Sequence, residues 1–481
     1  MRSGADYRES LRDGRNVWLM GEGRIDDVTT HPATAPMVDF YAEWYDRHED
    51  AAWRDTLCSP DGRPLAFQVP QSADDLRRLG KAIFDVGFLS AGNVTHTPGY
   101  GALIALGIMD AVEVLGLPKE RIQTATAYRD MLEATQRFIT FSSGNAPIGD
   151  RFRAPDDKIG VQAVKETDAG VIVSGMAGMH TSVPFADDVF IAATAAAEPA
   201  QRIWFAAAAN SPGLRIVTRK PVTMHRSRFQ APLSSRYDEL DAQVWLDNVL
   251  VPWEKVFAIN FDPGQGIANR RHDRLVPWLL WHQQLGWLAR AEFTVGLALA
   301  LSEVMALKDN PGIVAQIVDL IIDAQTIRTC VTAAELDPEL SQAGHVMPRQ
   351  LHLAPASIHN LQARQRMSEI MRNLPGSSLV VTPTDADLDD PAIAEAFETA
   401  FGGGGYTARQ RAALLHLAWD LVSSELDARE STFELHANGG MPVWRGRIQL
   451  WYERYNELAN NVLKAVDTDI PPLNLDKLRG R

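Results

Sequence analysis

Two cysteines in 481 residues, Cys58 and Cys330, are too few and too widely spaced for a disulfide framework, a cysteine zinc site or an iron–sulfur cluster. They read as structural thiols of a reducing compartment. Blocks of Lys and Arg are also missing, and with a formal charge of −14 the chain offers no surface for neutralising nucleic-acid phosphates. The acidity serves solubility instead. No HExxH or related histidine spacing occurs, and no GxGxxG sits between a strand and a helix, so neither a zinc hydrolase nor a nicotinamide-binding fold is indicated. The N-terminal MRSGADYRESLRDG lacks the apolar core of a signal peptide, and the most apolar helical stretch, near Phe293 to Leu307, is interrupted by Ser302 and Glu303. A cytoplasmic protein without a membrane span is expected, and no internal repeat appears.

What is present is an ordinary globular composition, 46% hydrophobic and 22% charged, in a chain long enough for two or three domains or one large unit. From Met37 to about Phe141 the pattern is helical, with stretches at Leu103 to Leu115 and Arg121 to Phe138 separated by Gly116-Leu117-Pro118. Between Ile159 and Phe257 it changes to short runs bounded by turn residues, IGVQAV, GVIVSG, DVFIAAT, RIWFAAAA, LRIVTR and AQVWLDNVLV, which predict an antiparallel barrel or sandwich.

Helical spacing returns at about Arg274, with Leu285, Leu288, Ala289 and Phe293, then Val314, Ile317, Val318 and Ile321 after Asn310-Pro311-Gly312. A further helix carries Leu414, Leu417, Ala418, Leu421 and Val422, and such apolar stripes predict a four-helix bundle. The expected division is an N-terminal helical domain 1–145, a central β domain 146–270 and a C-terminal bundle with its tail 271–481. FGGGGYTARQR at Phe401 to Arg411 lacks a preceding strand and a Lys-Ser/Thr pair, so it is a linker with Thr407 as N-cap rather than a phosphate loop.

Four segments in order, GADYRESLRDGRNVWLMGEGRIDDVTTHPA, GNVTHTPGY, PLSSRYDELDAQVWLDNVLVPWEKVF and LAWDLVSSELDARE, resemble the oxygenase components of two-component 4-hydroxyphenylacetate 3-monooxygenases. The resemblance covers nearly the whole chain. It implies an α+β, acyl-CoA dehydrogenase-like fold and a homotetramer or homodimer. It also implies FAD, used as FADH2 from a separate flavin reductase, which with O2 forms a flavin hydroperoxide that hydroxylates a small aromatic or heteroaromatic ring. A CoA-ester dehydratase or dehydrogenase on the same fold, and a flavin-binding protein without hydroxylase activity, are the alternatives. The dehydratase of the 4-hydroxybutyryl-CoA type needs three cysteines and a histidine for its cluster, which Cys58 and Cys330 cannot supply.

The same resemblance places the site. The family's Arg-Ser-Pro-Asp-Tyr-like segment corresponds to His96-Thr97-Pro98-Gly99-Tyr100, which keeps Tyr100 and puts His96 in place of the arginine. Its catalytic histidine falls at Phe141, which cannot accept a proton. Either the substrate needs no deprotonation or another base such as His96 supplies it. Thr194 matches a loop that closes over substrate, with Ala193 where a hydroxyl residue is expected. Flavin contacts are expected from Gly149, Asp150 and Arg151, from Thr181, and from Asn438, Gly439 and Gly440. Each has an ordinary alternative: His96 as a turn hydrogen-bonder, Tyr100 and Phe141 as packing, Arg151 as a solvated charge, Asn438-Gly439-Gly440 as a helix stop. His282-Gln283 and Arg290 are expected near the flavin or a subunit boundary. Asp238, Glu239 and Asp241 are expected to pair with Arg236 and its neighbours rather than to bind metal.

Overall fold

The computed structural model describes residues 1–142, 148–154, 157, 159–194, 199–224, 226–261, 275–341, 343–436 and 440–479. Helices dominate the first 135 residues: α1 Gly4–Ser10, α2 Ala35–Asp46, α3 Arg54–Leu57, α4 Ala73–Leu89, α5 Pro98–Val114 and α6 Lys119–Thr135. Their ends follow local chemistry. The Ser72 side chain accepts the Asp75 N–H to start α4, and Thr97 accepts the Tyr100 N–H to start α5, where Pro98 needs no partner for a missing N–H. Helix α6 stops at Gln136 in the left-handed conformation, short of the expected Phe138.

Six strands follow the expected runs, β4 to β9, and four more join them: β1 Val17–Leu19, β2 Gly23–Ile25, β3 Ile139–Ser142, β4 Gln162–Thr167, β5 Gly170–Thr181, β6 Asp188–Ala193, β7 Ile203–Ala208, β8 Leu214–Thr218, β9 Asp241–Pro252 and β10 Val256–Ile259. They form a six-stranded sheet, β2-β1-β8-β9-β5-β4, and a four-stranded sheet, β10-β7-β6-β3. Alternation along β9 turns Ala242, Val244, Leu246, Val249 and Val251 into the core, broken by one bulged step at Asn248. Two pairings, β1 with β8 and β3 with β6, are parallel, so the sheets are mixed rather than wholly antiparallel. Strand β3 lies inside the stretch read as helical. Three- and four-residue strands are too short to display a two-residue period.

The C-terminal region contains α7 Leu275–Val304, α8 Pro311–Leu336, α9 Gln350–Asn373, α10 Asp385–Asp389, α11 Ala394–Phe401, α12 Ala408–Val422, α13 Glu425–His436, α14 Gly440–Trp451 and α15 Tyr455–Leu463. Helix α7 is its axis, packing on α8, α9 and α12 and, across the chain, on α4 and α5. It is long and apolar enough to cross a membrane by composition alone, yet 67% of its most apolar window is buried inside the molecule, as in a core helix. Asn310 caps α8 and Thr407 caps α12 in a reciprocal pair with Gln410. The expected apolar face of α8 is only partly covered: Ile317 is buried, whereas Val314, Val318 and Ile321 are 39–46% exposed.

Candidate active site

The turn from Asn93 to Tyr100 is buried between α2, α7 and the sheets, and one carboxylate organises it. Glu239 accepts the backbone N–H of Thr95 at 3.1 Å and of His96 at 2.9 Å, and the Thr95 hydroxyl at 2.9 Å, while its Oε1 lies 3.2 Å from His96 Nδ1. Burial by itself would raise the Glu239 carboxyl, but the adjacent His96 ring and Arg429 hold it below the usual carboxylate range. An ionised carboxylate only accepts hydrogen bonds, so His96 Nδ1 carries a hydrogen toward Glu239 and Nε2 is left for another group. Tyr41 steadies the same turn by donating to the His96 carbonyl at 3.0 Å.

The His96 ring stands edge-on to Tyr100 with centroids 4.7 Å apart and to Phe433 at 5.7 Å, and Tyr100 in turn meets His282 at 5.1 Å. Burial and then the Glu239 charge push the Tyr100 hydroxyl well above its ordinary value, so it stays protonated. Burial, with the nearby His96, lowers His282 to about 3 and keeps it neutral.

Arg429 on α13 ties this turn to the β sheets. Its Nε and Nη2 grip Asp241 at 2.8 and 2.5 Å, its Nη1 lies 3.7 Å from Glu239, and the same nitrogen bonds Glu430. Asp241 also accepts the Thr181 hydroxyl at 3.0 Å. Two of the three carboxylates beside Arg429 are driven apart: burial raises Glu430 to about 7 in spite of Arg429, while Glu239 stays ionised.

An apolar wall faces the other way. Phe141 on β3 stacks on its register partner Phe190 of β6, with centroids 5.6 Å apart and planes 24° apart, and Trp204 of β7 meets Phe190 edge-on at 6.1 Å. Helix α5 reaches this sheet because Gly101 has no side chain: a Cβ there would stand 2.5 Å from the Ile139 carbonyl oxygen. That close approach puts Tyr100 in one apolar cluster with Ile139, Phe190 and the flanking Phe141. Thr194, just beyond β6, accepts the Trp204 indole N–H at 3.0 Å.

The residues expected at the flavin divide. Ile148–Phe152 forms a turn in which Asp150 accepts the Ile159 and Gly160 N–H groups, both at 2.9 Å, so Asp150 anchors the turn. Arg151 is exposed there and has no partner among the described residues, Gly149 faces open space, and Ile148 and Phe152 are 73% and 86% exposed. An exposed cation beside bare apolar groups fits a ligand with a phosphate and a flat ring system. Thr181 lies at the end of β5, its hydroxyl committed to Asp241. Gly440 opens α14 with φ +67°, while Asn438 and Gly439, like 143–147, lie outside the described residues.

One expectation changes. Arg236 does not pair with the Asp238–Asp241 carboxylates; it donates to the Pro232 carbonyl and covers the Tyr237 ring, and Arg219 and Arg429 take its place. Arg290 is 5% exposed, bonds Asn93 and sits 3.8 Å from Glu434, an interior cation. Burial, then the neighbouring Arg364, lowers it to about 10. Glu239 and Arg429 joined the site only through folding; the sole sequence signal was their presence in two of the matching segments.

Residues 3–258 match the N-terminal part of the 4-hydroxyphenylacetate 3-hydroxylase family and residues 275–466 its C-terminal part. The 4-hydroxyphenylacetate 3-monooxygenase oxygenase component of Thermus thermophilus is 29% identical, over 95% of both chains. The pyoverdin chromophore biosynthetic protein of Pseudomonas aeruginosa is 30% identical over 95% of this chain and 93% of its own. The oxygenase component of 4-nitrophenol 4-monooxygenase/4-nitrocatechol 2-monooxygenase of Rhodococcus opacus is 29% identical over 98% and 92%. Among solved structures, an oxygenase component of 4-hydroxyphenylacetate 3-monooxygenase complexed with FAD and 4-hydroxyphenylacetate superposes with TM-score 0.88 at 26% identity, covering 97% of this chain and 99% of that one. An archaeal 4-hydroxybutyryl-CoA dehydratase shares the fold, with TM-score 0.85 at 18% identity over 98% and 97%. With both halves matched and the architecture shared, the chain belongs to the 4-hydroxyphenylacetate 3-hydroxylase family and is an FADH2-dependent monooxygenase oxygenase component of acyl-CoA dehydrogenase-like fold.

Proposed function

We propose that this oxygenase component hydroxylates a small phenol or N–H heteroaromatic ring held between Tyr100 and Phe141, with His96 taking the ring's O–H or N–H proton. The observation that carries the reading is the buried His96–Glu239 pair at 3.2 Å, which fixes the imidazole with Nε2 available. Bound FADH2, delivered by a separate flavin reductase, supplies two electrons with which one atom of O2 enters the ring and the other leaves as water.

The protein's own part is positioning. Arg151, Gly149 and Gly440 would hold the flavin, and the Phe141–Phe190–Trp204 wall gives a flat ring an apolar surface that excludes water. A proton leaving the ring makes it more electron-rich, and the charge then on His96 is balanced by Glu239 at its other nitrogen. Positions 96 and 141 differ from the pattern of the 4-hydroxyphenylacetate enzymes, so a different ring is favoured over 4-hydroxyphenylacetate.

The test is a panel of phenols, pyrroles and pyridine derivatives with FADH2 and O2, scored as hydroxylated product per flavin oxidised. At least one phenol or N–H ring should be hydroxylated, and His96→Ala should lower product formation about 100-fold. Peroxide release alone with every ring defeats the hydroxylase reading, and an unchanged yield in His96→Ala removes His96 from its role.

A further inference from the structure

We propose that Tyr41 and Ser182 are positioning residues for the hydroxylation: together they hold the His96 carbonyl and so aim the turn that carries His96 and Tyr100 at the ring. This rests on the proposed placement of the ring beside that turn, and it adds what sets the angle of the turn.

The Tyr41 hydroxyl on α2 lies 3.0 Å from the His96 carbonyl oxygen and 2.7 Å from Ser182 Oγ. A carbonyl only accepts and a hydroxyl has one hydrogen, so Tyr41 donates to His96 and Ser182 donates to Tyr41. Burial, and after it the Glu239 charge, hold the Tyr41 phenol well above its ordinary value, which keeps that hydrogen in place. The ring beneath it is wedged, with Phe138 at 4.9 Å, Phe185 at 5.7 Å and Tyr7 at 6.3 Å between centroids. Tyr41 and Ser182 are both fully buried.

These bonds close into a ring around residue 96. Glu239 accepts the His96 N–H, Arg429 joins Glu239 to Asp241, and Asp241 accepts the Thr181 hydroxyl. The next residue is Ser182, which leads through Tyr41 back to the His96 carbonyl. A carboxylate therefore grips His96 at its N–H and a phenol grips it at its C=O. Neither flanking peptide can rotate without breaking a buried hydrogen bond. Helix α5, which opens at Pro98 and carries Tyr100, takes its direction from the same turn.

The backbone of Ser182 is an independent sign. Its φ of +60° lies in the left-handed region, where glycine is at ease and serine is strained. Its N–H bonds the Leu240 carbonyl at 2.9 Å and its carbonyl accepts the Phe185 N–H at 3.0 Å, contacts that a glycine makes equally well. What glycine lacks is the hydroxyl, and that hydroxyl meets Tyr41.

The test uses the full-length protein with FADH2, O2 and a ring that the wild type hydroxylates. Tyr41→Phe and Ser182→Gly should each lower the product formed per FADH2 oxidised by about 10-fold, with peroxide making up the difference and the dissociation constant for FADH2 unchanged. Ser182→Gly relieves the backbone and should melt close to the wild type. Wild-type yields in both variants overturn the proposal. So does a loss of yield in Ser182→Gly matched by a lower melting temperature, which is what a merely structural role predicts. Crystal structures read the same point without substrate: in Tyr41→Phe the His96 carbonyl should turn from its wild-type direction, and an unmoved carbonyl overturns the proposal. His96→Ala separates this inference from the proton role of His96. A wild-type yield there, beside a loss in Tyr41→Phe, removes the proton role and leaves the positioning; a loss there, beside wild-type yields in Tyr41→Phe and Ser182→Gly, removes the positioning alone.

Discussion

The two sides of the site are built on opposite principles. Phe141, Phe190 and Trp204 form a wall from neighbouring strands of one sheet, held by apolar area and ring geometry. His96, Glu239, Arg429 and Asp241 form the other side from three distant stretches of chain, held by charges that must find one another. A buried ion without its partner costs several kcal/mol, whereas a trimmed apolar contact costs in proportion to its area. The charged side therefore fixes one geometry sharply, and the apolar side tolerates change and is free to suit a different ring.

The sharpest way to break this contrast is Arg429→Met, which strands Asp241, Glu239 and Glu430 together. It should lower unfolding stability in urea by about 3–5 kcal/mol, and a loss below about 1 kcal/mol would show that the charged side is not what holds the halves together. Next, Glu239→Gln should reduce product formation by about 10- to 100-fold, through loss of the carboxylate that orients His96, with FADH2 affinity preserved. Equal rates in the two proteins would make Glu239 merely structural.

Glu430 sharpens the contrast through pH. Its folded value of about 7 lies above the ordinary 4.5, so the folded protein binds more protons between those values and loses stability as pH rises through that window. Glu430→Gln should flatten the fall by about 1–2 kcal/mol in denaturation at pH 5 and pH 8; an identical slope in wild type and variant removes the buried proton. The smallest effect belongs to the apolar wall. Phe141→Leu should cost about 1 kcal/mol or less by thermal unfolding while changing which ring of the panel is hydroxylated, and a fold-breaking loss would put the walls on an equal footing.

Much of this was legible beforehand. All six strand runs from IGVQAV to AQVWLDNVLV became strands, and the caps at Thr97, Asn310 and Thr407 stand at helix starts, because alternation and capping are local properties. Strands β1 to β3 and β10 were not, being too short to show a period. Nor was the exposure of Val314 and Val318, since an apolar stripe does not say what covers it. At the site, His96, Tyr100 and Phe141 were found through the resemblance, and the structure brings Tyr100 and Phe141 into one cluster with His96 at its edge. Arg236 was the wrong partner because nearness along the chain does not choose among several arginines.

The sequence alone determined the order of helices and strands, the family and its flavin chemistry, all carried by local periodicity and by segments that keep their identity in line. Tertiary structure decided that Glu239, 143 residues from His96, is its hydrogen-bond partner, and that Arg429 serves Asp241 and Glu239 together. The reason is electrostatic and geometric. Burial strengthens a charge's demand for a partner, but which partner answers depends on where β9 and α13 meet the α5 turn, and no spacing in the sequence encodes that meeting.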